Sequence, residues 1–216
     1  MTPVTDDAPP PPRLAPLPRT GWGDDAVDAL RSAFPSNVVD RFLSTAPDAP
    51  PVPNVIATML HHPALAGPWL VYNNVLLWSP TLGDRQRELI VLRVAWRTRS
   101  KYEWVQHVKL SERYGVTPAD VEAVVSGAGL DAWTPLERDL LAATDELIDG
   151  YRIGNDTWTR LAEQLDERQL VEMVFVVGTY TCLAMAFNSF GLQLEPGIDT
   201  SSMPLPPDER ATDPRP

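Results

Sequence analysis

The sequence predicts an all-α fold: one helical domain with an arm at each end. Three observations carry this. The periodic stretches repeat their apolar residues in three- and four-residue steps, and none alternates apolar and polar residues as a half-buried strand does. A helix-start grammar recurs: Thr117-Pro118-Ala119-Asp120 and Thr134-Pro135-Leu136-Glu137 each supply a hydroxyl cap, a proline at the first helical position and an acid to complete a capping box. The run through Leu89, Ile90, Val91, Leu92, Val94, Ala95 and Trp96 continues without a turn signal beyond the length of a typical strand, which outweighs its β-branched residues.

Taken in order, residues 1–20 form a proline-rich arm, disordered or extended, because DDAPPPPRLAPLP offers little to bury. A proline-rich ligand for another domain is the alternative reading. The helical domain spans 21–197, and 198–216 is a flexible tail of the same character as the arm. Val27, Leu30, Arg31 and Phe34 mark a short amphipathic helix behind Asp24 and Asp25, with Pro35 beyond its end. A second short helix covers 38–43, 48–53 is a linker, and Asn54 caps a helix through 59. Residues 64–78 are apolar around most of a helix circumference, so that helix is buried on more than one side. Asp84 caps a central core helix. The next runs from about 100 to 114 and ends at Gly115 in a left-handed cap. Helices follow over 118–126, 135–148 and 155–165, and Asp166 caps a long apolar one to about 190.

The chain has 216 residues, 44% of them apolar, which suits one domain with a full core. Its net charge of −11 and short basic clusters, such as Arg97 to Lys101, argue against nucleic acid. The longest apolar candidate, 171–190, is broken by Glu172 and Asn188, so no membrane span is expected. The start of the chain is acidic and proline-rich where a secretion signal would be basic and apolar, which points to the cytoplasm. Cys182 lacks a disulfide partner and lies in an apolar stretch, where a buried structural thiol is expected. His61 and His62 are adjacent, so on a helix they point about 100° apart; a helix boundary at Pro63 is expected, and no metal.

The stretch 84–119 looks like chemistry. Glu103 and His107 are four residues apart, on one face of a helix and within reach of each other. Glu103 sits between Tyr102 and Trp104, and Glu88 begins an apolar run, so at least one carboxylate is expected to be desolvated. Burial opposes charge on both groups while their proximity favours the ion pair, a balance that general acid–base catalysis needs. His107 is then the proton carrier, Glu103 the residue that orients its imidazole, and Glu88 a second proton station. Arg85, Arg87 and Arg93 share a helix with Glu88 and could hold a substrate carboxylate or enolate. In their ordinary roles Arg93 balances Glu88 and the other two are solvated. Tyr72, beside Asn73 and Asn74, either lines a pocket or is a core tyrosine.

The pattern Arg85-x-Arg87-Glu88-Leu89 before apolar residues, then Ser100-Lys101-Tyr102-Glu103-Trp104-Val105-Gln106-His107, resembles the carboxymuconolactone decarboxylase family, which shares its helical fold with alkylhydroperoxidase D-like proteins. The resemblance covers roughly residues 47–197. In the peroxidase branch two cysteines lie seven and four residues before the site histidine, and a glutamate nineteen before it. Here those positions are Ser100, Glu103 and Glu88. The resemblance therefore implies acid–base chemistry on a small carbonyl, lactone or carboxylic acid, with catalytic His107, Glu103 and Glu88 and no cofactor. Arg85, Arg93, Ser100 and Tyr72 are the candidate substrate contacts. It also implies a homo-oligomer: a dimer, trimer or hexamer. A non-catalytic helical oligomer that binds a ligand or partner is the alternative reading, and a peroxidase-like antioxidant protein a weaker one.

Overall fold

The computed structural model describes residues 11–207 apart from 47, 48 and 50. The first ten residues of the predicted arm, the end of the tail from 208 and part of the 48–53 linker lie outside the described residues. Among the described residues the chain is all-helical. In order run α1 (Asp24–Ala33), α2 (Ser36–Leu43), α3 (Asn54–Met59), α4 (Pro63–Trp78), α5 (Asp84–Arg97) and α6 (Lys101–Ser111). There follow α7 (Pro118–Ser126), α8 (Pro135–Gly150), α9 (Asn155–Ala162) and α10 (Glu167–Phe190).

Capping chemistry fixes the boundaries. Thr117 with Asp120, Thr134 with Glu137 and Asp166 with Gln169 each form a full capping box, so the first free N–H groups of α7, α8 and α10 are satisfied. Gly115 ends the turn after α6 at φ +76°, where an L side chain would be strained. Gly83, not Asp84, takes the cap position of α5; Asp84 is its first residue and favours the positive helix end.

α5 is the axis of the molecule. Every residue from Arg87 to Ala95 is buried, because α6, α7, α8 and α10 pack around it. Ile90, Val91 and Val94 enter one core with Leu140, Met173, Val176 and Tyr180. Leu89, Leu92 and Ala95 face a second with Trp104, Val105, Val124 and Leu141. A third core, separate from α5, joins α1 through Leu30 to α4 through Ala66 and Leu70. Three arginine clasps hold the α5 bundle from outside. Arg85 bridges Asp120 and Glu137, Arg93 grips Asp145 with two nitrogens, and Arg97 joins Asp145 to Asp149.

The described parts of both arms, 11–20 and 198–207, bond to the helical domain. Arg13 and Leu14 donate their N–H groups to Phe190 O, and Leu17 N donates to Ala57 O. Beyond α10, Glu195 accepts from Tyr102 Oη, Asn54 N and Gln106 Nε2, and Trp104 Nε1 donates to Pro204 O at 2.6 Å. The tail is the lid on the indole of Trp104, a polar N–H that burial would otherwise orphan. Cys182 corrects an expectation: it is exposed, because it falls on the outward stripe of α10. Tyr72, 38% exposed, donates to or accepts from Thr179 Oγ1 at 2.7 Å.

Removing residues 199–216 takes the carbonyl from Trp104 and uncovers that core. The expected cost is about 1–3 kcal/mol, read as a lower urea midpoint; an unchanged midpoint would show that the tail holds nothing.

Candidate active site

The candidate site forms where α5 and α6 meet across a tight turn. That turn is closed by Ser100 N donating to Ala95 O and by Arg99 at φ +55°. Nineteen residues along the chain therefore become neighbours in space: His107 Nδ1 lies 2.8 Å from Glu88 Oε2. The other Glu88 oxygen accepts from Arg87 Nε at 3.1 Å and Nη2 at 2.9 Å, and Arg87 Nη1 reaches Asp84 at 2.7 Å. The guanidinium also lies 5.1 Å from the Tyr114 ring centre, a cation–π contact. Arg87 and Glu88 are both fully buried, so their charges are tolerated only because each finds its counterpart and its hydrogen bonds.

The electrostatics follow. Burial pushes the Glu88 carboxyl up, but His107 and Arg87 together outweigh it and hold the group below its ordinary range. An ionised carboxylate only accepts, so the shared hydrogen bond is donated by His107 Nδ1–H, and Nε2 makes no hydrogen bond among the described residues. The Tyr180 ring from α10 stands edge-on to the imidazole at 5.0 Å and fixes its plane. The His107 side chain is 11% exposed, so this tautomer is set inside the protein with one edge open.

Glu103 is not the partner of His107. Its two oxygens are buried and make no hydrogen bond, and the Ser100 hydroxyl one turn earlier is equally enclosed and unpartnered. Burial drives the Glu103 carboxyl well above its ordinary range, a push that Ser100 opposes weakly. The expected Glu103–His107 pair does not form: the imidazole bonds to Glu88, whose carboxyl its neighbours hold low, while burial drives the Glu103 carboxyl the other way. Burial likewise raises the Tyr180 phenol, with Glu88 next among the causes.

The arginines also depart from expectation. Arg93 does not balance Glu88, since five residues along a helix turn it roughly 140° away; it faces Asp145 and the Val124 carbonyl. Arg85 is committed to Asp120 and Glu137, and Asp120 is held at about 2 by that contact foremost. Neither guanidinium is left for a substrate. Arg87, expected to be solvated, is fully buried. Its signal is present in the sequence: it stands beside Glu88 on a helix whose apolar residues cover every side. Tyr72 lies apart from this cluster, bonded to Thr179. Tyr180 gives no local signal, because its role arises only when α10 folds onto α6. Among the described residues no three metal-ligating side chains are grouped, and His61 is taken up by the Ala15 carbonyl.

The two carboxyls act oppositely on stability. Glu88, held low, contributes stability that is complete above its ordinary range and is lost as pH falls through its folded pKa. Glu103, held high, binds its proton more tightly when folded, so the fold weakens as pH rises above 4.5. Glu103→Gln should therefore stabilise the fold more at about pH 7.5 than at about pH 4. Chemical denaturation at both pH values checks this, and an equal effect at the two would refute the raised carboxyl.

Comparison with known proteins places this geometry. Residues 63–146, from α4 into α8, match the carboxymuconolactone decarboxylase family. No curated protein matches the chain. Among solved structures, an uncharacterized peroxidase-related protein with an AhpD core from Ralstonia eutropha JMP134 superposes with a TM-score of 0.66 at 18% identity, over 88% of this chain and 96% of that one. A putative antioxidant defence protein AhpD from Agrobacterium tumefaciens gives 0.59 at 19% identity, over 63% and 94%. A cysteine-to-alanine variant of the debrominase Bmp8, in complex with 2,3,4-tribromopyrrole, gives 0.65 at 16% identity, over 85% and 91%. The chain thus has an AhpD-like helical fold, is similar over residues 63–146 to the carboxymuconolactone decarboxylase family, and has no Cys-x-x-Cys.

Proposed function

We propose that this protein is a non-redox acid–base enzyme acting on a small carbonyl, lactone or carboxylic acid, by decarboxylation, elimination or isomerisation. One observation supports the reading above all: the chain Arg87–Glu88–His107 ends on an imidazole nitrogen with no hydrogen bond among the described residues. In this reading His107 Nε2 takes a proton from carbon beside a carbonyl, or returns one to an enolate. Glu88 holds the imidazole in the required tautomer and offsets the positive charge it gains, and Arg87 keeps Glu88 ionised. Two carboxyls whose surroundings drive their proton affinities apart divide the work: Glu88 on the base side, neutral Glu103 as the proton store on the acid side. Ser100 is placed beside that store. Since Arg85 and Arg93 are already paired, a substrate carboxylate meets neither, which favours carbonyl and lactone groups as what the site recognises. Thiol peroxidase chemistry has no support, since the positions of the two family cysteines hold Ser100 and Glu103. The lone cysteine, without a disulfide partner in the chain, supports a reducing, cytoplasmic setting.

The test is turnover of small 2-oxo, β-keto and lactone acids. His107→Ala should cost about 10²- to 10⁴-fold, and the double change with Glu88→Gln little more than the worse single one. Because Glu88→Gln strands Arg87 in the interior, circular dichroism must first show that the variant is folded. Cys182→Ser should leave turnover intact. Full activity in folded His107→Ala on a confirmed substrate would end the proposal.

A further inference from the structure

We propose that the Tyr180 hydroxyl is a further catalytic group of the site: it donates a hydrogen bond to the oxygen of a neutral substrate carbonyl as negative charge gathers there. The inference rests on the reading of His107 as proton carrier and adds the group that receives the resulting charge. Tyr180 is 2% exposed, and its ring meets the imidazole edge-on at 5.0 Å between centroids. The phenol also lies within electrostatic reach of Glu88, Glu103 and Arg87, so it belongs to their cluster although it comes from α10.

The hydroxyl is what needs a reason. The buried face of α10 is otherwise apolar, through Met173, Val176, Val177, Leu183 and Phe187. A phenylalanine would fill the place with the same ring, and a tyrosine hydroxyl buried without a partner is costly. Tyr102, also buried, shows the usual solution, since its hydroxyl donates to Glu195 at 2.7 Å. Tyr180 Oη has no hydrogen bond among the described residues. Three residues of the site thus carry unpartnered side-chain oxygens: Ser100, Glu103 and Tyr180. Those of Ser100 and Glu103 are sealed from solvent, whereas the Tyr180 oxygen is not among the sealed atoms. Of the three, it is the one that a molecule lying against the open edge of His107 meets directly.

The chemistry suits a neutral donor. When His107 Nε2 takes the proton, the C–H pair becomes the carbon–carbon double bond of an enolate and the carbonyl π pair moves to oxygen. The phenol hydrogen-bonds that oxygen and keeps its own proton, because burial first and Glu88 next push it well above its ordinary range. The imidazole then returns its proton to carbon or to oxygen, and the charge is gone. A bond of this kind strengthens as its acceptor gains charge, so it favours the transition state over the bound substrate. The same surroundings select the substrate. A carboxylate at this oxygen's place would face Glu88, held below its ordinary range, and the guanidiniums of Arg85, Arg87 and Arg93 are already engaged. A ketone or lactone carbonyl needs no cation and finds the phenol.

Tyr180→Phe is the test, since it keeps the ring and its edge contact with His107 and removes only the hydroxyl. The melting temperature should hold or rise, because an unpartnered hydroxyl leaves the interior. On whichever of the small 2-oxo, β-keto and lactone acids the native protein turns over, kcat should fall about 10²- to 10³-fold with KM nearly unchanged. A fluorotyrosine in place of Tyr180, a more acidic phenol, should retain turnover; a ring that served only to hold His107 would be replaced by phenylalanine without loss. Binding gives a readout free of turnover: 4-nitrophenolate, an oxyanion followed by its absorbance, should bind the native protein and bind Tyr180→Phe at least ~10-fold more weakly. Equal affinity in the two would overturn the inference and leave the reading of His107 standing. So would full kcat in folded Tyr180→Phe on a substrate that His107→Ala cannot turn over. Full turnover in folded His107→Ala would end that reading, and this inference with it.

Discussion

The buried ion pair between Arg87 and Glu88 is the constraint on which the candidate site depends. Both residues lie at the start of the fully enclosed segment of α5, where an unpaired charge would cost several kcal/mol. The pair is tolerable only with every donor and acceptor engaged, and the structure engages them: Asp84, Tyr114 and His107 complete the set. His107 therefore has a structural duty. Its Nδ1 satisfies a carboxylate that α5 cannot otherwise bury, and the same bond leaves its Nε2 available.

This ordering explains why the two carboxyls of the site diverge although both are enclosed. Glu88 receives two cationic or donor partners, Glu103 none. Desolvation is the largest influence on each, and only at Glu88 do neighbours exceed it. Glu88 lies beside the Arg87 guanidinium and Glu103 beside no cation, so burial prevails at Glu103 alone and drives its carboxyl upward.

Legibility follows the range of the interaction. Helix ends set by local bonds are readable: Thr117 with Asp120 and Thr134 with Glu137 form the boxes their spacing implies. The enclosure of α5 is readable from its unbroken apolar run. Pairings across the fold are not. The counter-ions of Arg85 and Arg93 lie 35 and 52 residues away, in acids whose local context marks them as caps or helix surface. Glu103 and His107 share a helix face, so spacing alone favours their pairing; the competing carboxylate arrives from α5, and its charge state decides the contest. Cys182 departs from expectation because the apolar character of α10 says that the helix is wanted by apolar neighbours, without saying on which side they stand.

α10 brings the two halves of the reading together. Its inner face supplies Tyr180 to the imidazole and Met173 and Val176 to the core, while its outer face carries Phe175 and Met185 into solvent. A helix apolar all round is ordinarily buried all round. Here the fold of one chain covers only one side, and the uncovered side neighbours, through Thr179, the tyrosine that orients His107.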